Sequence, residues 1–233
     1  MDSGLQSSVQ ALDSGQKRME YIAANLANLQ APGFKKLVTF TEVIEQVQQG
    51  RTERKLETNN QIDFTQGHVE HTGNPLDLAL DGDGFFALET ESGEAYTRNG
   101  RFHLDAQGTL LNEDGFLVVW EGAPGKLQPV GDEIRVDPTG TVRQGENSLG
   151  RLKLVDFADR TALELDGRGT FRAPPLAETL PATAEVRGAA LERSNADSID
   201  ELVSLIRVQR SFENAAQLLR TIDQSYKRLN QPR

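Results

Sequence analysis

No cysteine occurs among the 233 residues, which excludes disulfides, cysteine nucleophiles and thiolate metal sites. Long apolar runs are missing as well. The densest, Phe116 to Trp120, is far too short for a bilayer core of roughly 30 Å, so no membrane insertion is expected. The opening stretch, Met1-Asp-Ser-Gly-Leu-Gln-Ser-Ser, lacks the basic segment and apolar run of a secretory signal. Any export is therefore expected to proceed without a cleaved signal peptide. Positive charge is in short supply: 25 Lys and Arg stand against 35 Asp and Glu, a net charge of -10. Phosphate repulsion then argues against nucleic-acid binding and against adhesion to anionic membranes. Aromatics reach only 6% and hydrophobic residues 37%. That is too little for one compact core from end to end, yet too apolar in patches for wholesale disorder.

What is present begins with two heptad seams, one at each end. Leu205, Val208, Phe212, Ala215, Leu219, Ile222, Tyr226 and Leu229 recur at alternating steps of three and four. Leu5, Val9, Leu12, Gln16, Met19, Ala23, Leu26 and Gln30 do the same. Such spacing keeps one narrow stripe facing a partner helix. The first seam predicts a helix over residues 3–30, weakened by Gly4 and Gly15 and ended by Ala31-Pro32-Gly33. The last predicts a helix from Ser198 to Leu229. Ser198-Ile-Asp-Glu201 has the form of a capping box, and Arg207, Arg210, Arg220, Lys227 and Arg228 gather toward the end. Gln16 and Gln30 on the seam suit a shared or wet surface better than a dry core.

Between the helices the pattern changes. Phe40 to Val47 fits a short helix or a strand, and Gly50 to Asn60 is polar and charged, as in an exposed, mobile loop. From Gly67, Asx-Gly pairs arrive at short intervals: Asp81-Gly82, Asp83-Gly84, Asn99-Gly100 and Asp114-Gly115. They suit tight hairpin turns between strand-like runs. The expected architecture is α+β, mainly β. A hairpin-rich antiparallel β body over 67–190 lies between long coiled-coil-forming helices in an N-terminal assembly segment, 1–36, and a C-terminal one, 191–233. Residues 37–66 form an extended, mobile connector. Phe85, Phe86, Tyr96 and Phe102 are expected to anchor the body.

Candidate reactive groups fail on spacing. Asp81-Gly-Asp-Gly84 alternates carboxylates as calcium loops do, but positions six and twelve hold Phe86 and Ser92 instead of Gly and Glu. Gly82 and Gly84 lack the third glycine and following helix of a dinucleotide fingerprint. His68 and His71, with only His103 to join them, read as exposed histidines in place of a metal pair. Gly145-Glu-Asn-Ser148-Leu-Gly150 has one residue too many for a nucleophile elbow. No catalytic residue, cofactor or metal is expected, and the chain is not expected to be an enzyme. Asn25, Asn28 and Asn195 can cap helix ends or cross-link packed helices.

Four blocks then carry a resemblance. Ala24-Asn-Leu-Ala-Asn28 with Ala31-Pro-Gly-Phe-Lys35 comes first, then Asn74-Pro-Leu-Asp-Leu-Ala-Leu80 with Gly82-Asp-Gly-Phe-Phe86. Tyr96-Thr-Arg-Asn-Gly-Arg-Phe102 is third. Glu192-Arg-Ser-Asn-Ala-Asp197, with Glu201 to Glu213 and Thr221-Ile-Asp223, completes the set. In this order they resemble the flagellar basal-body rod, hook and hook-associated proteins, and most of all the proximal or distal rod proteins. The resemblance implies a structural subunit of the periplasmic rod that passes unfolded through the flagellar export apparatus. It also implies assembly with copies of itself and with other rod and hook proteins into a tube. Leu5, Val9, Leu12, Met19, Leu26, Leu205, Phe212, Leu219, Ile222 and Tyr226 would be its assembly contacts. Asn25, Asn28, Pro32, Gly33, Phe34 and Asn195 stand in the matching motifs. The alternative class is a β binding module of the cell envelope, oligomerised by its coiled coil.

Overall fold

A computed structural model describes residues 2–48, 51–123, 125–128, 131–167 and 169–229. Strand exceeds helix, 38% to 24%, with one N-terminal and one C-terminal helix and a β body between them in the sequence. The chain forms two compact units. One gathers Met1–Ala27, Leu37–Asp63 and Ala196–Arg233; the other gathers Asn28–Lys36 and Phe64–Asn195.

The first unit holds helix α1 (Asp2–Ala27), strands β1 (Leu37–Gln48) and β2 (Arg51–Ile62), and helix α2 (Ser198–Leu229). At 1.5 Å per residue the helices run about 39 and 48 Å. They pack on one another, and Gly15 shows how closely. A methyl group placed on Gly15 would meet the Phe212 ring at 3.4 Å, so the glycine leaves room for the ring at ordinary van der Waals distance. Gly15→Ala is therefore expected to stabilise α1 by about 0.5–1 kcal/mol, since helical glycine carries an entropic cost that alanine does not. Gly15→Leu should reverse the sign by displacing Phe212, and thermal melts followed by far-UV circular dichroism distinguish the two.

The α2 start differs from the expected capping box. Asp197, not Ser198, is the cap: its Oδ1 accepts from the backbone N–H groups of Ile199 (2.8 Å) and Asp200 (3.1 Å). Glu201 does not reach back to the cap, because its carboxylate accepts from Asn25 of α1 at 3.2 Å. A carboxylate that satisfies two orphan amides leaves Ser198 free to begin the helix.

The stretch from 37 to 62 forms one antiparallel ribbon, with Leu37 opposite Ile62 and Gln48 opposite Arg51. The Asx-Gly turn chemistry that marks hairpins elsewhere in the chain is missing here, and β2 is polar along most of its length. Its pairing is thus invisible to an apolar-polar count. Near its base Thr58 is buried and its hydroxyl lies 2.6 Å from that of Ser14 on α1.

The second unit is antiparallel β. Its central strand, Phe85–Thr90, pairs with Gly93–Thr97, Leu117–Val118 and Leu154–Phe157. A smaller sheet orders Trp120–Glu121, Asn147–Leu152, Thr141–Gln144 and Ile134–Val136. Leu80, Phe86, Leu88, Phe102, Val142 and Leu152 meet in one buried cluster with Trp120, the single tryptophan. Phe86 and Phe102 stack edge to face at 5.2 Å, and Tyr96 does so on Phe157 at 4.8 Å.

The turns share a chemistry. At Asp105, Asn112 and Asp137 the side-chain oxygen accepts from the amides two and four residues on. Each is followed by a glycine at positive φ, Gly108, Gly115 and Gly140, which closes the loop without steric cost. Asp114-Gly115 is therefore a hairpin turn anchored from Asn112. Asn99-Gly100 is not one. Gly100 is required because a side chain there would collide with the Leu78 carbonyl, while its own carbonyl accepts from Leu78 N–H at 2.9 Å.

Candidate functional site

In the second unit, three of the four resemblance blocks converge on one carboxylate. Glu192 lies on the short strand Ala190–Glu192, which pairs with Val69–His71. Its Oε1 accepts from Lys35 Nζ at 2.6 Å and from Gly67 N–H at 2.8 Å. Its Oε2 lies 3.5 Å from Arg98 Nη1. All three charged side chains are excluded from water, at 0% for Lys35 and Glu192 and 2% for Arg98. Lys35 also donates to the Thr65 carbonyl at 2.7 Å, and Gly33 N–H donates to the Glu192 carbonyl at 2.7 Å. Arg98 donates to the Gly82 carbonyl at 2.8 Å, and its guanidinium sits 5.4 Å from the Phe85 ring centroid. Burial pushes the Arg98 guanidinium below its ordinary pKa, and the Glu192 charge opposes that shift.

Two cations share one carboxylate in a dry interior. Such an arrangement holds only because attraction at close range offsets desolvation and the spare donors find carbonyls. Asn195 adds a second tie. Its Oδ1 accepts from Lys36 N–H at 2.7 Å, and its Nδ2 donates to Thr65 carbonyl and hydroxyl oxygens at 3.1 Å each. The segments 33–36, 65–67 and 192–195 are thus bound side by side. Phe34, 4% exposed, and Gly33 are buried in the same place. Asn28 and Pro32 line a groove of about 300 Å³ together with Phe34, Asn99 and Arg101.

A buried lysine can serve as an amine nucleophile. Lys35 is not so placed, since Glu192 and Thr65 close over its nitrogen and no path from solvent reaches it. The three histidines are exposed, and no cluster of metal-ligating groups occurs among the described residues.

In the first unit Asn25 is 1% exposed and plays a comparable part. Its Nδ2 donates to the Leu37 carbonyl at 2.9 Å and to Glu201, while its Oδ1 accepts from Leu37 N–H at 2.8 Å. One side chain ties α1, β1 and α2. Of the seam residues, Leu12, Met19, Leu26, Leu205, Phe212, Leu219 and Ile222 are half-buried, while Val9 is 54% exposed. The side chains of Leu5 and Tyr226 lie outside the described part of the structure.

Lys35, Arg98 and Glu192 were not singled out by sequence reasoning. They stand in three of the resemblance blocks, 157 residues apart at the extremes. A charged residue fixed in a motif among apolar and small neighbours was the available signal.

Terminal helices that pack on one another and a β body whose buried charges are taken up in an internal ion-pair cluster are features of a structural subunit. Comparison with known proteins makes the assignment specific. Residues 79–144 match the family described as flagellar hook protein FlgE/F/G D1 domain. Residues 187–231 match the flagellar basal body rod FlgEFG protein C-terminal family. The chain is 30% identical to the flagellar basal-body rod protein FlgF of Caulobacter vibrioides, over 94% of this chain and 93% of the relative. It is 29% identical to FlgG of Bacillus subtilis over 94% and 95%, and 30% identical to FlgF of Escherichia coli over 99% and 98%. The chain belongs to the flagellar basal-body rod protein family. Proteins of this family are structural and not enzymes.

Proposed function

We propose that the chain is a structural subunit of the bacterial flagellar basal-body rod and self-assembles through its terminal helices with copies of itself and other axial proteins. The observation that carries this reading is similarity to rod proteins along 94% of the chain, terminal helices included. The packing of α1 on α2 supports it further. Leu12, Met19, Leu26, Leu205, Phe212, Leu219 and Ile222 serve assembly by holding the two ends as one helical unit. The subunit reaches the periplasmic rod unfolded through the flagellar export apparatus. A chain without cysteine suits that route, since no disulfide can form before the subunit is in place.

Truncation tests the reading. Removing residues 1–30 or 198–233 spares Gly33, Lys35, Glu192 and Asn195, so the β body is expected to keep cooperative unfolding, reported by Trp120 fluorescence. Cells carrying either truncation as their only copy should be non-motile and lack the protein in isolated basal bodies. Motile cells with normal rods in either case would refute assembly through the helices.

A further inference from the structure

Residues 184–195, the last stretch of the second unit, bind segments that come far earlier in the chain. Glu185–Gly188 pairs with Leu78–Asp81, and Ala190–Glu192 pairs with Val69–His71. Among the described residues neither early strand has another ladder partner. Arg193 N–H donates to the His68 carbonyl at 2.8 Å. The Glu192 carboxylate reaches Arg98, Gly67 and Lys35 across 94, 125 and 157 residues. The middle of the unit pairs near neighbours instead: Phe85–Thr90 with Gly93–Thr97, and Thr141–Gln144 with Asn147–Leu152. Local pairings form early, whereas distant ones must first meet the entropy of closing the loop.

Charge reinforces that order. A chain made from its N-terminus presents Lys35 and Arg98 before Glu192 exists. Burying two cations without their carboxylate is strongly unfavourable, so residues 33–36 stay solvated until Glu192 arrives. Asp83 also acts on Arg98, but Arg160 holds it at 2.8 Å.

The late stretch is strained as well. Between its two strands Ala189 has φ +54, the one non-glycine residue at positive φ among the described residues. Such an angle persists only where surrounding bonds over-determine it. Here the Ala189 carbonyl accepts from Thr72 N–H at 2.8 Å and Gly73 N–H at 3.3 Å. The kink turns the chain from one early strand to the other and loses its support when either is absent.

We propose that residues 184–195 are a closing strap: they dock last, and until they do residues 33–36 and 65–72 remain open and the β body is incomplete. The use of such a strap, keeping a newly made chain open for export, rests on the reading of the chain as a rod subunit.

Folding kinetics of the full-length protein test the order. After dilution from urea, pulsed hydrogen exchange read by mass spectrometry is expected to show 85–97 protected first, and 33–36, 65–72 and 185–193 protected together in the last phase. In stopped-flow fluorescence of Trp120, Glu192→Gln should speed unfolding about a hundredfold or more. Asn195→Ala, which gives up the bonds to Lys36 and Thr65, should speed it about tenfold. Ala189→Gly removes the strain and should slow it about twofold. Contacts absent from the transition state leave refolding unchanged, within about twofold in all three. Leu88→Ala, in the locally paired core, should slow refolding. Protection of 185–193 as early as 85–97 would overturn the proposal. So would refolding slowed by Glu192→Gln and Asn195→Ala in proportion to the stability they lose. These rates are measured on purified protein, so either result leaves the rod reading standing; wild-type protein absent from basal bodies would overturn that reading and leave the folding order unchanged.

Discussion

Glu192→Gln is expected to destabilise the β body by about 3–5 kcal/mol, the usual cost of stripping one partner from a buried charge pair. Glutamine can still accept from Lys35 and Gly67, so most of the loss reports charge and not shape. The substitution leaves two buried cations, Lys35 and Arg98, with no carboxylate between them. Lys35→Met should cost less. It leaves one cation facing one carboxylate, with Arg98 and Gly67 still donating to Glu192. Urea unfolding followed by Trp120, 8% exposed in the core of this unit, measures both. A larger loss for Lys35→Met than for Glu192→Gln would show that net charge does not govern the cluster. Because the pair closes over 157 residues, both variants should also lower the cooperativity with which residues 33–36 and 192–195 are protected from hydrogen exchange.

Gly33→Ala is expected to be nearly as damaging, at about 3 kcal/mol or more, for two independent reasons. Gly33 has φ +66, a region that alanine enters only at a cost. A methyl group there would also overlap the Arg98 carbonyl and the Asn99 nitrogen. Those atoms are backbone and cannot rotate aside, so the 31–35 segment must separate from Arg98, and with it the hydrogen bond from Gly33 to Glu192. Double-mutant cycles between Gly33→Ala and Glu192→Gln should therefore show coupling, with the pair costing less than the sum. Strict additivity would mean that the glycine acts through its backbone angle alone. Exposed Gly73 and Gly93 also have positive φ but nothing within 4 Å, so alanine there should cost only the angle.

Resolution of the sequence into elements succeeded where the signal was local. Both helices were legible from a 3.5-residue period of apolar side chains, and the expected end of the first at residue 30 lies three residues past the observed one at Ala27. Of the four Asx-Gly pairs, Asp114-Gly115 is a hairpin turn, whereas Asp81-Gly82 and Asp83-Gly84 join two strands that each pair elsewhere. Misreadings have specific causes. Asn99-Gly100 looks like a turn, but its glycine answers to the Leu78 carbonyl from another strand. Ser198 looks like a cap, but Asp197 stands two and three residues before the free amides of Ile199 and Asp200, the spacing a cap needs. The β1–β2 ribbon carries too many polar residues for alternation to show.

The sequence by itself determined that this chain has a helix at each end, a β middle and no cysteine, and its motif order pointed to the rod family. Those properties follow from backbone sterics, side-chain period and composition, which act over a few residues. Only the tertiary structure decided that Lys35, Arg98 and Glu192 meet in a dry interior, and that Asn25 ties α1, β1 and α2. It also decided that the seam of α2 is half-buried while Ile199, Leu202, Val203 and Ile206 face water. The reason is distance along the chain. Which charge neutralises which, and which of two apolar faces is covered, depends on segments brought together from opposite ends, and no local pattern records that.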